Sequence, residues 1–148
     1  IVLNTGHLSA AETVRLVELA QARGVARLLC PASYFKPDEV RALTALGAHV
    51  EFSFFFVTHA TQVGLTHVDA EKHQVEPVTL TRLTELIAAA PPGQVVLSGD
   101  CGVSVLPPPV EGLREFLWSL KLSGVPETTL SRAVGDNPAS LFRLGTPK

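Results

Sequence analysis

Asp100 is the residue of this sequence best placed to do chemistry, because a single glycine separates it from a short apolar run at residues 94–98. Parallel strands of α/β folds present their functional residues at their carboxyl ends. A carboxylate there costs free energy unless a metal ion, a cation or water satisfies it. Asp100 is therefore a candidate functional residue, and the alternative is an aspartate that only caps the following loop.

Three other residues follow the remaining apolar runs of the chain in the same way: His7, Ser33 and His59. His59 is expected near the carboxyl end of an aromatic strand. His7, taken alone, is better explained as a helix-start residue that bonds a neighbouring carbonyl group. Glu51 lies inside the aromatic run, where it either joins an inward polar network or points outward into solvent.

The apolar runs alternate with helical patterns along the whole chain. The runs cover residues 1–3, 25–30, 49–57 and 94–98, and the helical patterns cover 9–24, 37–47, 79–90, 110–122, 126–134 and 137–143. Repeated β-α units predict an α/β fold with parallel strands side by side in chain order. Ser9 and Glu12 form a predicted capping box, and Asn137 is the predicted N-cap of the last helix.

Residues 58–77 show only weak periodicity and carry four further potential metal ligands, His67, Asp69, Glu71 and His73. Their spacing matches no compact metal-binding motif. A loop of this length inside a compact domain is usually functional or mobile, and we expect His67 and His73 to lie in a solvated surface segment.

Composition narrows the class of protein. A chain of 148 residues that is 46% hydrophobic can bury one core, so residues 1–148 are expected to form a single domain. The net charge of -2 without a basic stripe excludes nucleic acid as an expected partner. No apolar stretch could span a membrane and no signal peptide is evident, which predicts a cytoplasmic protein. Two cysteines do not make a disulfide framework, and both are expected to be reduced.

The strand-end residues, together with the closing stretch GDNPASLF at 135–142, resemble the C-terminal half of an amidohydrolase-superfamily metal-dependent hydrolase. That superfamily folds as a TIM (β/α)8 barrel with one or two divalent metal ions at its mouth. The resemblance implies that this chain supplies strands matching the fifth to the eighth, plus the C-terminal helices. It looks closest to a poorly characterised branch of the superfamily.

The resemblance assigns roles to two residues. His7 matches the metal ligand of the fifth strand, and Asp100 matches the eighth-strand aspartate, which binds metal and acts as the general base. An imidazole and a carboxylate suit zinc or manganese. The sixth-strand ligand is missing, because Ala32 stands where a histidine is expected. Cys30 would share a strand face with Ala32 but is expected to be a buried thiol.

Two functions follow from these observations. The first is a metal-dependent hydrolase acting on an amide, ester or related bond of a small-molecule substrate, with Ser33 and His59 as further pocket residues. The second is a non-catalytic barrel or small α/β module that binds a small molecule or assembles with a partner. The chain opens on a strand and has no methionine, so we expect its partner to be a missing N-terminal half-barrel or a second copy.

Overall fold

The structure is a computed structural model that describes residues 1–62 and 76–145. Its sheet has four strands: β1 (Leu3–Asn4), β2 (Leu28–Pro31), β3 (His49–Ser53) and β4 (Val95–Ser98). Neighbours pair in parallel in the order β1-β2-β3-β4. The predicted α/β class, the parallel pairing and the sequential strand order are confirmed, and β1 and β4 are the two edges of the sheet.

A helix follows each strand, and two more helices come after them: α1 (Ala10–Ala22), α2 (Pro37–Ala45), α3 (Leu80–Ala89), α4 (Pro109–Leu122), α5 (Glu127–Val134) and α6 (Asp136–Phe142). The capping box at the start of α1 is confirmed, because the Ser9 hydroxyl accepts the Glu12 amide N–H while the Glu12 carboxylate accepts the Ser9 N–H. No helix within the two described ranges is long and apolar enough to cross a membrane.

The helices α1 to α4 bury one face of the sheet. Their apolar side chains form a single core with alternate strand residues, among them Cys30, Val50, Phe52 and Leu97. Burial of this surface is the main stabilising contribution, at roughly 25 cal/mol per Å² of apolar area. Doubly wound folds carry helices on both faces of the sheet. In this protein the strand-connecting helices share one face, so the sheet is singly wound.

The second face of the sheet divides into an apolar and a polar part. Toward the amino ends of the strands, Leu141 of α6 packs against Leu29 and Val96. The buried Asn137 side chain fixes α6 there by donating hydrogen bonds to the carbonyl oxygens of Pro92 and Val95, at 2.8 and 2.7 Å. Toward the carboxyl ends, the same face carries polar side chains and remains accessible to a ligand.

Two predicted boundaries were wrong in detail. The third strand ends at Ser53 instead of residue 57, because its last pairing is with Ser98, the end of β4, and residues 54–57 form a 3-10 turn beyond it. Asn137 lies inside α6 and ties that helix to the sheet, so the N-cap position belongs to Gly135.

The buried residues of α4 are Gly112, Phe116 and Leu120, whereas the apolar Val110 in its first turn is 68% exposed. Leu113 and Leu117 are only partly buried at the margin of the core. Gly112 lies against the Cys101 sulfur and the Phe54 ring, where a larger side chain would not fit.

Candidate functional site

A cavity of about 330 Å³ lies on the second face of the sheet, at the carboxyl ends of the strands. Gly6 and Pro31 contribute to its wall, and its polar lining residues are Asn4, His7, Glu51, Ser53, Ser98 and Asp100. His7 follows the edge strand β1 and Asp100 follows the opposite edge strand β4. The structure therefore brings the two principal predicted residues to one cavity from opposite edges of the sheet.

The local backbone explains how Asp100 is presented. Its φ angle is +47°, a left-handed conformation that aspartate tolerates better than most residues because its short polar side chain can bond locally. The preceding carbonyl oxygen, that of Gly99, accepts a hydrogen bond from the Phe55 amide at 3.3 Å. This bond holds the turn after β4 against the turn after β3, and it leaves the Asp100 side chain exposed at the cavity rim.

Glu51, Ser53 and Ser98 form the floor of the cavity. The Ser98 hydroxyl donates to the Ser53 hydroxyl at 3.0 Å, and the Ser53 amide donates to the Ser33 hydroxyl at 3.4 Å. Glu51 lies on the same sheet face as Ser53 and lines the cavity, but within the described residues it has no hydrogen-bond partner and so joins no polar network there. Strand alternation predicted that shared face but could not say which face was accessible.

A second, aromatic cavity of about 230 Å³ adjoins the first. His7 and Pro31 line both cavities, and the aromatic one also contains Ser33, Tyr34 and Phe56. The Phe56 ring lies edge-on to His7 with centroids 5.7 Å apart, and edge-on to Tyr34 at 5.2 Å. Edge-to-face packing of this kind holds aromatic walls in place. Ser33, a predicted pocket residue, lines this aromatic cavity and is buried.

The Tyr34 side chain is anchored at the other end of its ring. Its hydroxyl donates to the Glu76 carbonyl oxygen at 3.1 Å, and partial burial raises the pKa of the phenol above its usual range. The sequence did not single out Tyr34 or Phe56. Phe56 was expected inside the third strand, where alternation would have given it the wrong direction, and only the 3-10 turn at Phe54–Val57 brings it to the cavity.

His59 does not line either cavity. It lies in the 3-10 turn His59–Thr61, where its Nδ1 is 3.0 Å from the Gln62 side-chain oxygen. Its predicted placement after the third strand is correct, but the turn at Phe54–Val57 intervenes. The other potential ligands of the 58–77 stretch, His67, Asp69, Glu71 and His73, lie outside the described residues.

Ala32 is not a cavity position. It is fully buried in the core with Cys30, on the face covered by the helices, and the β2 residue that lines the cavity is Pro31. The predicted shared face of Cys30 and Ala32 is therefore correct, but assigning Ala32 to a ligand position was wrong. Burial raises the pKa of the Cys30 thiol to about 11, which keeps it protonated and unsuited to binding a metal.

The described residues do not complete a metal centre. No group of three histidine, cysteine, aspartate or glutamate side chains in residues 1–62 and 76–145 comes together closely enough to hold a metal ion. Catalytic zinc sites ordinarily use three protein ligands and one open position. His7 and Asp100 are thus insufficient by themselves, and a site for zinc or manganese would need a ligand from beyond the described residues.

Cys101 lies beside the candidate site without taking part in its lining. Burial is the main cause that raises the pKa of its thiol, and the nearby carboxylates of Asp100 and Glu115 raise it further. Its Sγ packs against Gly112 of α4, leaving no room there for a methyl group. The Cys101 side chain therefore sets the spacing between α4 and the turn that carries Asp100.

A larger groove, with a volume of about 650 Å³, lies elsewhere, between α4 and α5. It is lined by apolar residues including Trp118, and its rim carries two ion pairs, Arg114 with Glu111 and Lys121 with Glu127. This groove shares no lining residue with the polar cavity, and four of its five charged lining residues form the two ion pairs, Glu115 being the fifth. The smaller polar cavity is therefore the better candidate for chemistry.

Comparison with known proteins gives one match. Residues 1–51 match the model of a family of unknown function, DUF6282. This region includes β1, α1, β2 and α2, and so includes His7 but not Asp100. Neither a curated protein nor a solved structure matches the chain.

Proposed function

We propose that this chain is the C-terminal half of a (β/α)8 barrel of amidohydrolase type, and that it hydrolyses an amide, ester or related bond of a small molecule. The observation that carries the proposal is the convergence of His7, Glu51 and Asp100 on one cavity at the carboxyl ends of a singly wound sheet. Active sites of (β/α)8 enzymes are built at this end of the strands. The free edges of β1 and β4 are where the remaining strands of a barrel would pair.

Asp100 is the proposed general base. Its carboxylate is exposed at the cavity rim and can accept a proton from a water molecule that attacks the substrate carbonyl. His7, across the cavity, would orient the substrate or the water. The described residues do not supply three ligands for a metal ion, so these roles belong to the side chains themselves.

The second candidate is a barrel that binds a small molecule without hydrolysing it. Pro31 favours this alternative, since the inward position at the end of β2 carries no ligand or acid-base group. The two candidates share the cavity and differ only in turnover.

Hydrolysis of a panel of small neutral esters and amides by the purified chain, with and without added zinc or manganese, tests the proposal. We expect Asp100→Asn to lower kcat/KM by about 100-fold or more, the usual contribution of a general base. Asp136→Asn is the matched control, because Asp136 is an exposed aspartate in the first turn of α6, away from the cavity. Equal activity of Asp100→Asn and the unmodified protein would refute the role of Asp100, and binding without turnover would establish the second candidate.

A further inference from the structure

The two adjoining cavities have different linings, and the two linings together indicate the chemical class of the ligand. The polar cavity has two carboxylates in its lining, those of Glu51 and Asp100, and no lysine or arginine. The aromatic cavity is walled by Tyr34, Phe35 and Phe56. His7 and Pro31 belong to both linings, so one molecule can extend from the first cavity into the second.

Among the described residues, three of the polar lining groups have no hydrogen-bond partner: the carboxylates of Glu51 and Asp100 and the ring of His7, which packs against Phe56. Ser53 and Ser98 bond each other, and the Asn4 side-chain oxygen accepts the Gly6 amide at 2.8 Å. Within residues 1–62 and 76–145, no hydrogen bond or ion pair satisfies either Glu51 or Asp100. Two unpaired carboxylates in a concave surface create a negative potential, which favours a cationic or strongly hydrogen-bond-donating head group.

The aromatic cavity suits a planar apolar group. The ring of Phe56 is held between His7 and Tyr34, with centroid distances of 5.7 and 5.2 Å, so it presents a fixed wall. A ligand ring packed against fixed aromatic side chains gains both from buried area and from edge-to-face geometry. Small-molecule sites commonly combine an apolar wall with a few placed polar groups.

We propose that the ligand is an arylalkyl amine or a close derivative: a cationic nitrogen beside Glu51, joined by a short linker to a ring beside Phe56 and Tyr34, with Asp100 left free to act as the base. This inference names the ligand class of the site proposed above and rests on that site being functional. It makes Phe56 a specificity-determining residue for the ring, and Glu51 one for the charged head.

Three probe compounds test the ligand class on the full chain without any need for turnover. Phenethylamine has the ring and the cationic head, phenylacetate has the ring and an anionic head, and ethylamine has the head alone. Dissociation constants are measured by NMR titration. We expect phenethylamine to bind at least about tenfold more tightly than either of the other two. Equal or tighter binding of phenylacetate would overturn the assignment of the cationic head, and equal binding of ethylamine would overturn that of the ring.

Variants of Phe56 and Glu51 test where the ring and the charged head of the ligand bind. Phe56→Ala, and Phe56→Leu if the alanine variant folds poorly, should weaken phenethylamine binding by about tenfold and leave ethylamine within about twofold. Phe142→Ala is the matched control, since Phe142 is an exposed phenylalanine at the end of α6. Glu51→Gln should remove most of the preference for phenethylamine over phenylacetate. An unchanged preference in Glu51→Gln, or unchanged phenethylamine binding in both Phe56 variants, would overturn the proposed placement.

The outcome is distinguishable from that of the hydrolase proposal. If neutral esters are hydrolysed but phenethylamine shows no preference, the ligand class is wrong and the proposed function stands. If phenethylamine is preferred but nothing is hydrolysed, the ligand class stands and the protein is a binding module.

Discussion

Two histidine substitutions one residue apart at the end of β2, Ala32→His and Pro31→His, should have opposite effects, because Ala32 faces the core and Pro31 faces the cavity. In Ala32→His the imidazole enters the core, where Ala32 is fully buried. Overpacking costs about 1–3 kcal/mol, and an imidazole buried without hydrogen-bond partners costs about 1–3 kcal/mol more. We therefore expect the free energy of unfolding to fall by about 2–6 kcal/mol. In Pro31→His the imidazole lines the cavity beside His7, and loss of the proline costs only about 0.4–1 kcal/mol.

The two variants should also differ in their affinity for zinc, which should rise only in Pro31→His. Pro31→His adds a third candidate ligand to His7 and Asp100, so its affinity for zinc should rise by about tenfold or more, whereas Ala32→His should gain nothing. Urea unfolding followed by circular dichroism gives the stabilities, and competition with a chromogenic chelator gives the zinc affinities. Pro92→His, at the opposite end of β4, controls for the mere addition of a histidine. A stable Ala32→His that binds zinc more tightly than Pro31→His would refute the assignment of the two faces.

Three further predictions concern the core and the thiols. Gly112→Ala should lower the free energy of unfolding by about 1–3 kcal/mol, because its methyl group would collide with the Cys101 sulfur; in a urea-unfolding double-mutant cycle, Cys101→Ala should restore most of the loss. Phe52→Ala should cost about 3–5 kcal/mol, measured in the same way, because Phe52 is fully buried. Burial raises the pKa of the Cys30 thiol from 9.0 to about 11. Between these pH values the folded state keeps a proton that the unfolded state has lost, so the free energy of unfolding should fall as pH rises from 9 toward 11. The fall should be smaller in Cys30→Ala, which lacks this thiol.

Much of the fold could be predicted because local signals agree with one another. The capping box at Ser9 and Glu12, the helical spacing of apolar residues and the β-branched runs each define an element without reference to the rest of the chain. Sequential pairing follows from short connections and chain chirality. The length of β3 could not be predicted, because it depends on where β4 ends: the last pair is Ser53 with Ser98.

The candidate site was only partly predictable for a related reason. His7 and Asp100 each follow a strand closely, so their placement around one cavity at the carboxyl ends of the strands needs only parallel topology. Which of Pro31 and Ala32 faces the cavity depends on which face the helices cover, and alternation within one strand cannot supply that information. Phe56 reaches the aromatic cavity through a 3-10 turn that no local signal announces.

Because the core and the polar cavity lie on different faces of the sheet, substitutions on the two faces should differ in their effect on stability. The core lies on the face that α1 to α4 bury, so the free energy of folding comes mainly from residues that never meet a ligand. Glu51 and Pro31 lie on the other face, and Asp100 follows a strand end, so substitutions there remove few apolar contacts. Surface substitutions away from caps and buried networks usually change stability by less than about 0.5 kcal/mol. Ligand preference can therefore be altered at the cavity without unfolding the domain, whereas the helix-covered face must keep its shape.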